Sequence, residues 1–100
     1  LDSSRGAEIG WPMKESAIER HLRLQVEKHG GLCWKFTSPG MRGVPDRIVV
    51  PTDGQMFFVE TKAPGGVLSP AQKRRHAELR ARKQVVEVWY TKEQINFYFP

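Results

Sequence analysis

The sequence has little of what a secreted or membrane-bound protein needs. It contains one cysteine in 100 residues, Cys33, so an intrachain disulfide is excluded and a reducing compartment is favoured. The longest wholly apolar run is residues 56–59 (MFFV), whereas a membrane-spanning helix needs about 20 such residues. The first residues also show no charged and apolar leader of the secretory kind. We therefore expect a cytoplasmic protein with no membrane partner.

The chain also lacks internal repeats and low-complexity tracts, and 100 residues leave no room for a second hydrophobic core. Its three histidines, His21, His29 and His76, have no ligand-like spacing, so a zinc site is not expected. Acidic residues are in the minority, with 11 Asp and Glu against 16 Lys and Arg and a net charge of +5. This balance favours a polyanionic partner such as DNA.

The N-terminal half reads as a helix followed by a strand. Residues 1–11 are rich in Ser and Gly, show no period, and are interpreted as a flexible arm or an expression remnant, which leaves residues 12–100 as the domain. Apolar positions recur at helical spacing through residues 12–29. Residues 32–36 then predict a strand, and residues 37–45, with two Gly and two Pro, predict a loop.

A β-hairpin is predicted next, from strands at residues 46–51 and 55–62. Its register depends on the length of the turn. A two-residue turn would place Asp46 opposite Thr61 and point Glu60 to the other face. A three-residue turn with Gly54 in the left-handed conformation places Asp46 opposite Glu60. We predict the three-residue turn, because it brings the two carboxylates together on one face.

The C-terminal half predicts a second helix, from the capping box at Ser69 to about Lys83, followed by a strand at residues 85–90. Residues 91–95 are predicted to form one helical turn, and residues 97–99 a short terminal strand. The predicted order is αβββαβ with a small tail. This is an α/β layer fold.

Three ionisable residues stand where a stability argument would place apolar ones. Glu60 and Lys62 are two apart on a predicted strand and share a face, and Asp46 lies beside Glu60 in the predicted register. Two adjacent carboxylates repel each other unless a divalent cation lies between them, and an all-oxygen ligand set indicates Mg²⁺ or Mn²⁺. Lys62 is then placed to orient a water molecule or to stabilise charge on a phosphoryl group. The pattern indicates phosphodiester hydrolysis.

The first helix offers two further carboxylates, Glu15 and Glu19, which lie one turn apart. Either could complete the coordination shell, and we favour Glu19, directly beside Ile18. The competing interpretation is that Glu60 and Lys62 form an ordinary surface ion pair, worth about 0 to 1 kcal/mol, and that the basic second helix is merely solvated. In that case the chain is a DNA-binding module without activity.

The ordered motifs resemble a known family. The segments GVPDRIVV (residues 43–50), FVETKAPG (58–65) and SPAQK (69–73) are similar to those of the VRR-NUC domain, a branch of the PD-(D/E)XK nuclease superfamily. The resemblance implies a small mixed sheet flanked by helices, as in restriction endonucleases. It also implies that Asp46, Glu60 and the backbone carbonyl of Thr61 bind the metal, that Lys62 is the catalytic lysine, and that Gln72 is the family's glutamine.

The resemblance further implies a homodimer that cuts branched DNA, in the host cytoplasm if the protein is phage-encoded. Archaeal Holliday junction resolvases carry a Glu-Arg pair before a Gly at the spacing of Glu19, Arg20 and Gly30, which supports Glu19 over Glu15. Basic side chains around the predicted sheet edge are the candidates for DNA contacts, with plain solvent exposure as the alternative for the first two. They are Lys35, Arg42, Lys73, Arg74 and Arg75.

Overall fold

The computed structural model describes residues 14–100, so the predicted arm at residues 1–11 lies outside the described part. The elements, in chain order, are α1 (Glu15–Lys28), β1 (Leu32–Lys35), β2 (Arg47–Val50), β3 (Phe57–Thr61), α2 (Pro70–Ala81), β4 (Val86–Trp89) and α3 (Lys92–Tyr98). None of the helices in this range has the length and apolar character needed to cross a bilayer. The predicted αβββαβ order is confirmed.

The four strands form one mixed sheet in the order β1-β2-β3-β4. The pairs β1–β2 and β2–β3 are antiparallel, whereas β3 and β4 are parallel. A parallel pair needs a crossover connection, and α2 supplies it. The predicted mixed sheet flanked by helices is therefore confirmed.

The hairpin between β2 and β3 has the predicted register. Arg47 pairs with Val59 and Val49 pairs with Phe57, so the preceding Asp46 comes opposite Glu60. Gly54 has φ +81° and its N–H donates to the carbonyl of Pro51 at 3.0 Å. A left-handed residue at this position favours glycine, because other residues meet a steric penalty there. The paired stretches are shorter than predicted, but the parity of the turn is right.

Helix α1 packs its apolar stripe on one face of the sheet. Ile18, Leu22 and Val26 are buried at a spacing of four residues, and they form one hydrophobic cluster with Val49 and Val59. This spacing keeps the three side chains on the same side of the helix. The packing fixes where the first turn of α1 meets the sheet edge, which matters for the acidic residues described below.

The prediction of a terminal strand at residues 97–99 is wrong, because Phe97 and Tyr98 continue the preceding helical turn and Phe99 is the residue that caps it. The Thr91 side chain and the Gln94 side chain form a capping box that starts α3. Ile95 and Phe99 are then four residues apart and both buried, so the helical spacing lets them enter the core together.

Helix α2 begins at the predicted capping box, in which Ser69 Oγ accepts from Gln72 N. Its start lies against the loop that leads to β2. Gly43 in that loop has φ +89°, and a Cβ atom there would come within 2.4 Å of the Ala71 backbone. Glycine is therefore required for this close approach, which holds the loop before Asp46 against the first turn of α2.

Candidate active site

Three carboxylates from three separate segments of the chain meet at one end of the sheet, where β2 begins and β3 ends. Glu15 lies in the first turn of α1 and is exposed, Asp46 immediately precedes β2 and is half-buried, and Glu60 on β3 is only 1% exposed. Each offers an oxygen atom, and these oxygens all lie within 4.8 Å of one another. The predicted pair of Asp46 and Glu60 is thus present, with Glu15 as the third member.

This ligand set suits a hard divalent cation. Ligand oxygens at about 2.1 Å from an octahedral Mg²⁺ ion are separated by about 3 Å when adjacent and about 4.2 Å when opposite. The carboxylate oxygens lie within 4.8 Å of one another, so small side-chain movements would bring them to those distances. In addition, Oε1 of the buried Glu60 has no hydrogen-bond partner among the described residues, so a negative charge on this carboxylate is incompletely compensated by donors and a cation would offset it. The residues therefore fit Mg²⁺ or Mn²⁺.

Asp46 is held in place by the strand beside it. Its Oδ2 accepts hydrogen bonds from Thr61 N at 3.0 Å and from Thr61 Oγ1 at 3.1 Å. Thr61 is fully buried, so both donors are fixed by the sheet. The sequence predicted only the carbonyl of Thr61 as a metal ligand. The structure shows a different contribution, in which the amide and hydroxyl of Thr61 orient the Asp46 carboxylate.

Glu60 is oriented from α2. Its Oε2 accepts a hydrogen bond from Gln72 Nε2 at 3.1 Å, while Gln72 Oε1 accepts from Ser69 N at 2.8 Å. Gln72 therefore closes the capping box and also holds Glu60. The capping pattern predicted the first of these contacts, and the family resemblance marked Gln72 as a site residue without predicting its contact with Glu60.

The buried Glu60 carboxyl has a strongly perturbed acidity. Burial raises the pKa of Glu60 to about 8, and the nearby Asp46 carboxylate adds to this shift, whereas the positive charge of Lys62 opposes it. A carboxylate in this environment is costly to ionise without a cation. Lys62 directly follows β3, and its N–H donates to the carbonyl of Trp89 at 3.0 Å, so its backbone continues the sheet.

The structure brings Glu15, and not the favoured Glu19, to the acidic cluster. Glu19 Oε2 accepts from Arg47 Nε at 2.8 Å and lies 3.4 Å from Lys35 Nζ. Its carboxylate is thus engaged by two cations and is not part of the acidic cluster. Both glutamates lie on the same side of α1, one turn apart, and the crossing of α1 over the sheet places Glu15 at the edge where Asp46 lies.

Arg47 is almost fully buried, and the sequence patterns predicted no role for it. Besides its ion pair with Glu19, its Nη1 donates to the carbonyl of Cys33 at 3.1 Å. Arg47 therefore ties α1, β1 and β2 together. Its signal in the sequence was an arginine at the start of an otherwise apolar strand, RIVV, at a position with the same parity as the buried Val49.

His76 was also missed. It is 1% exposed, and its Nε2 lies 3.6 Å from Oε1 of Glu60. Burial lowers the pKa of His76, with the charge of Arg80 acting in the same direction, so the neutral ring is favoured. No local signal in the sequence marks this residue, because it stands within a strongly basic helix.

The structure divides the residues predicted to contact DNA into two groups. Lys73 and Arg74 are exposed on the first turns of α2, and Arg42 is exposed in the loop before β2. Lys35 is exposed but lies near Glu19, and Arg75 forms an ion pair with Glu78 at 3.1 Å and is largely buried. The first group is free to meet a phosphate backbone, whereas Arg75 is engaged within its own helix.

Comparisons with known proteins agree with this site. No protein-family model matches the chain. The protein named "Putative nuclease p44", from Acyrthosiphon pisum secondary endosymbiont phage 1, is 52% identical over 69 residues, which make up 69% of this chain and 74% of that protein. A solved structure described as "VRR_NUC domain" superposes with a TM-score of 0.78 at 30% identity, and the match covers 84% of this chain and 91% of that one. With an acidic cluster at the sheet edge and these two relatives, the chain belongs to the VRR-NUC family of nucleases.

Proposed function

We propose that this nuclease is a Mg²⁺- or Mn²⁺-dependent endonuclease that hydrolyses phosphodiester bonds of branched DNA, such as four-way junctions or flaps, and that it acts as a homodimer. The observation that carries the proposal is the convergence of Glu15, Asp46 and Glu60, whose carboxylate oxygens lie within 4.8 Å of one another on three separate elements. Repulsion among three carboxylates opposes such an arrangement unless a cation offsets it.

Each residue of the site has a distinct role in this proposal. Asp46 and Glu60 would be the principal ligands of the cation, with Glu15 and the carbonyl of Thr61 completing the shell. Gln72 Nε2 donates a hydrogen bond to Oε2 of Glu60 and would thereby hold this carboxylate in place. A bound divalent cation would polarise a phosphoryl oxygen and lower the pKa of a water ligand. Lys62 would orient the attacking water and stabilise negative charge on the phosphoryl group, because it follows Glu60 by two residues and its positive charge opposes the rise in the pKa of Glu60.

Contacts to the DNA backbone are assigned to Arg42, Lys73 and Arg74, with Lys35 as a further candidate. The first three are exposed and belong to the two segments that meet at Gly43 and Ala71, next to Asp46 and Gln72. Arg and Lys contacts to phosphates position DNA without reading its sequence. This arrangement fits an enzyme that selects DNA by shape.

An uncovered apolar surface supports the homodimer. Leu32 and Trp34 on β1 point away from the buried Cys33 and are 46% and 61% exposed. They lie next to Val50 and Ile48 of β2, which are only partly buried. A second copy seated on this face would bury it, and a two-fold interface would present two active sites to a branched substrate. The free, buried Cys33 fits the cytoplasm as the site of action.

The main test is cleavage of labelled four-way junction, flap and duplex DNA in Mg²⁺, Mn²⁺ and EDTA. We expect cation-dependent cutting of branched DNA, and a loss of at least about 100-fold in Asp46→Asn, Glu60→Gln and Lys62→Ala with DNA binding retained. Asp53→Asn is the matched control, because Asp53 is exposed in the hairpin loop and, within residues 14–100, its side chain accepts only from Gln55 N at 2.9 Å. Its activity should equal that of the wild type.

Two other outcomes would contradict parts of the proposal. Binding without cutting in every metal would favour the DNA-binding module, and equal cutting of all three DNA shapes would refute the selectivity for branches. The dimer is tested by sedimentation of the wild type and of Trp34→Glu, which should be monomeric. Phe97→Glu is the control, because Phe97 is another exposed aromatic residue, on α3, with 83% of its surface exposed. A monomeric wild type, or a Trp34→Glu variant that stays dimeric, would reject this interface.

A further inference from the structure

His76 is buried at a position where its polar ring has no evident structural purpose. It is the one buried residue of α2, a helix whose other positions are exposed or partly exposed. An apolar side chain would fill this space without burying two ring nitrogens. Buried polar groups without partners are rare, because each loses its hydrogen bonds to water.

Two of the unpartnered atoms of this region, His76 Nε2 and Glu60 Oε1, lie close together. Glu60 Oε1 and both ring nitrogens of His76 have no hydrogen-bond partner among the described residues. His76 Nε2 and Glu60 Oε1 are 3.6 Å apart, and each residue is 1% exposed. This distance is a few tenths of an ångström longer than a hydrogen bond, and such contacts often tighten when an active site is occupied.

The helix that carries His76 already holds the other oxygen of the same carboxylate. Gln72 Nε2 donates to Glu60 Oε2 at 3.1 Å. Gln72 and His76 are four residues apart in α2, so they share one face of the helix. A donor at each oxygen would fix the plane of the Glu60 carboxylate and thereby the direction in which it meets an ion.

We infer that His76 is a positioning residue: its neutral ring donates Nε2–H to Glu60 Oε1 and, with Gln72, sets the orientation in which Glu60 binds a divalent cation. This inference rests on the proposed function and adds a residue that touches neither DNA nor the ion. It assigns the Nε2–H tautomer to a ring that nothing in the sequence marked.

The test compares His76→Leu, which removes the donor, with His76→Gln, which restores one on a side chain that can reach Oε1. Mn²⁺ affinity of the DNA-free protein is measured by calorimetry, and kcat and KM are measured on cleavable DNA. His76→Leu should weaken Mn²⁺ binding and lower kcat by about 10- to 100-fold, with KM for DNA unchanged. His76→Gln should recover most of both losses.

His21→Leu is the matched control. The His21 ring is half-buried, and its Nε2 lies 2.8 Å from Asn96 Oδ1, between α1 and α3. This variant should lower thermal stability and leave Mn²⁺ affinity unchanged. A drop in Mn²⁺ affinity of the same size in His21→Leu would attribute the effect to general destabilisation and overturn the inference.

A ¹⁵N spectrum of the wild-type histidine rings provides a test that needs no folded variant. With Mg²⁺ bound, a proton on Nε2 of His76 supports the inference, and an unprotonated Nε2 refutes it. If the wild type cuts DNA and a folded His76→Leu variant binds Mn²⁺ as tightly as the wild type, the inference about His76 is overturned and the proposed function stands. A wild type that neither binds Mn²⁺ nor cuts DNA overturns the proposed function as well.

Discussion

Glu15 and Glu19 lie one turn apart on α1, yet the structure predicts opposite consequences for the substitutions Glu15→Gln and Glu19→Gln. Glu19 pairs with Arg47, whose side chain is only 10% exposed. Removing one partner of a fully buried ion pair leaves the other charge unpaired and lowers the free energy of unfolding by about 3 to 5 kcal/mol. Because the Glu19 side chain is 19% exposed and glutamine still accepts a hydrogen bond, we expect a loss of about 2 kcal/mol. For a domain of this size, that is about 8 to 16 °C in Tm.

Glu15→Gln should have no such cost. Glu15 is exposed, and its carboxylate oxygen lies within 4.8 Å of those of Asp46 and Glu60. Two unit charges at that distance repel each other by about 1 kcal/mol in water. The metal-free variant should therefore be as stable as the wild type or more stable by up to about 1 kcal/mol. It should, however, bind Mn²⁺ more weakly, because one ligand has lost its charge.

The assay is thermal and urea unfolding in EDTA, together with Mn²⁺ titration by calorimetry, on the wild type and both variants. We expect opposite effects in the two variants. Glu19→Gln should lose stability and keep its Mn²⁺ affinity, whereas Glu15→Gln should keep its stability and bind Mn²⁺ more weakly. If Glu19→Gln lost Mn²⁺ affinity at unchanged stability while Glu15→Gln bound normally, the assignment of the α1 ligand would be refuted.

Three further predictions follow from the geometry. Because the pKa of Glu60 is raised from 4.5 to about 8, the folded metal-free protein keeps a proton that the unfolded chain releases. Its stability should therefore fall as pH rises from about 4.5 to about 8, by up to about 1.4 kcal/mol per pH unit, and Glu60→Gln should remove this fall, so equal slopes would contradict the reasoning. Gly43→Ala should cost about 2 kcal/mol more in urea unfolding than Gly40→Ala, because both glycines have positive φ but only a Cβ at Gly43 meets backbone atoms. Equal losses would show that the loop does not need this close approach. Lys73→Ala combined with Arg74→Ala should weaken binding to every DNA shape and reduce the slope of log affinity against log salt by up to about 1.8, whereas an unchanged slope would remove this turn of α2 from the interface.

Local chemistry was sufficient to predict much of this protein from its sequence. The parity of the hairpin was predicted from the pairing of two carboxylates on one face, and Gly54 permits the turn by adopting φ +81°. The start of α2 followed from a capping box, since Ser69 and Gln72 satisfy each other's backbone groups within four residues. The pairing of Asp46 with Glu60 was the reason for choosing that register, and it could decide between the two turns because strand side chains alternate strictly.

Tertiary packing decided what local patterns left open. Phe97 and Tyr98 became helical, and Phe99 at the end of α3 enters the core on the same side as Ile95. Which α1 glutamate joins the acidic cluster depended on where that helix crosses the sheet, and two glutamates one turn apart are equivalent until the crossing is known. The contact of His76 with Glu60 depended on how α2 docks beside β3. Interactions between residues close in sequence determine the conformation of each segment. The distance between side chains on different segments is set by packing, and no local sequence pattern specifies that packing.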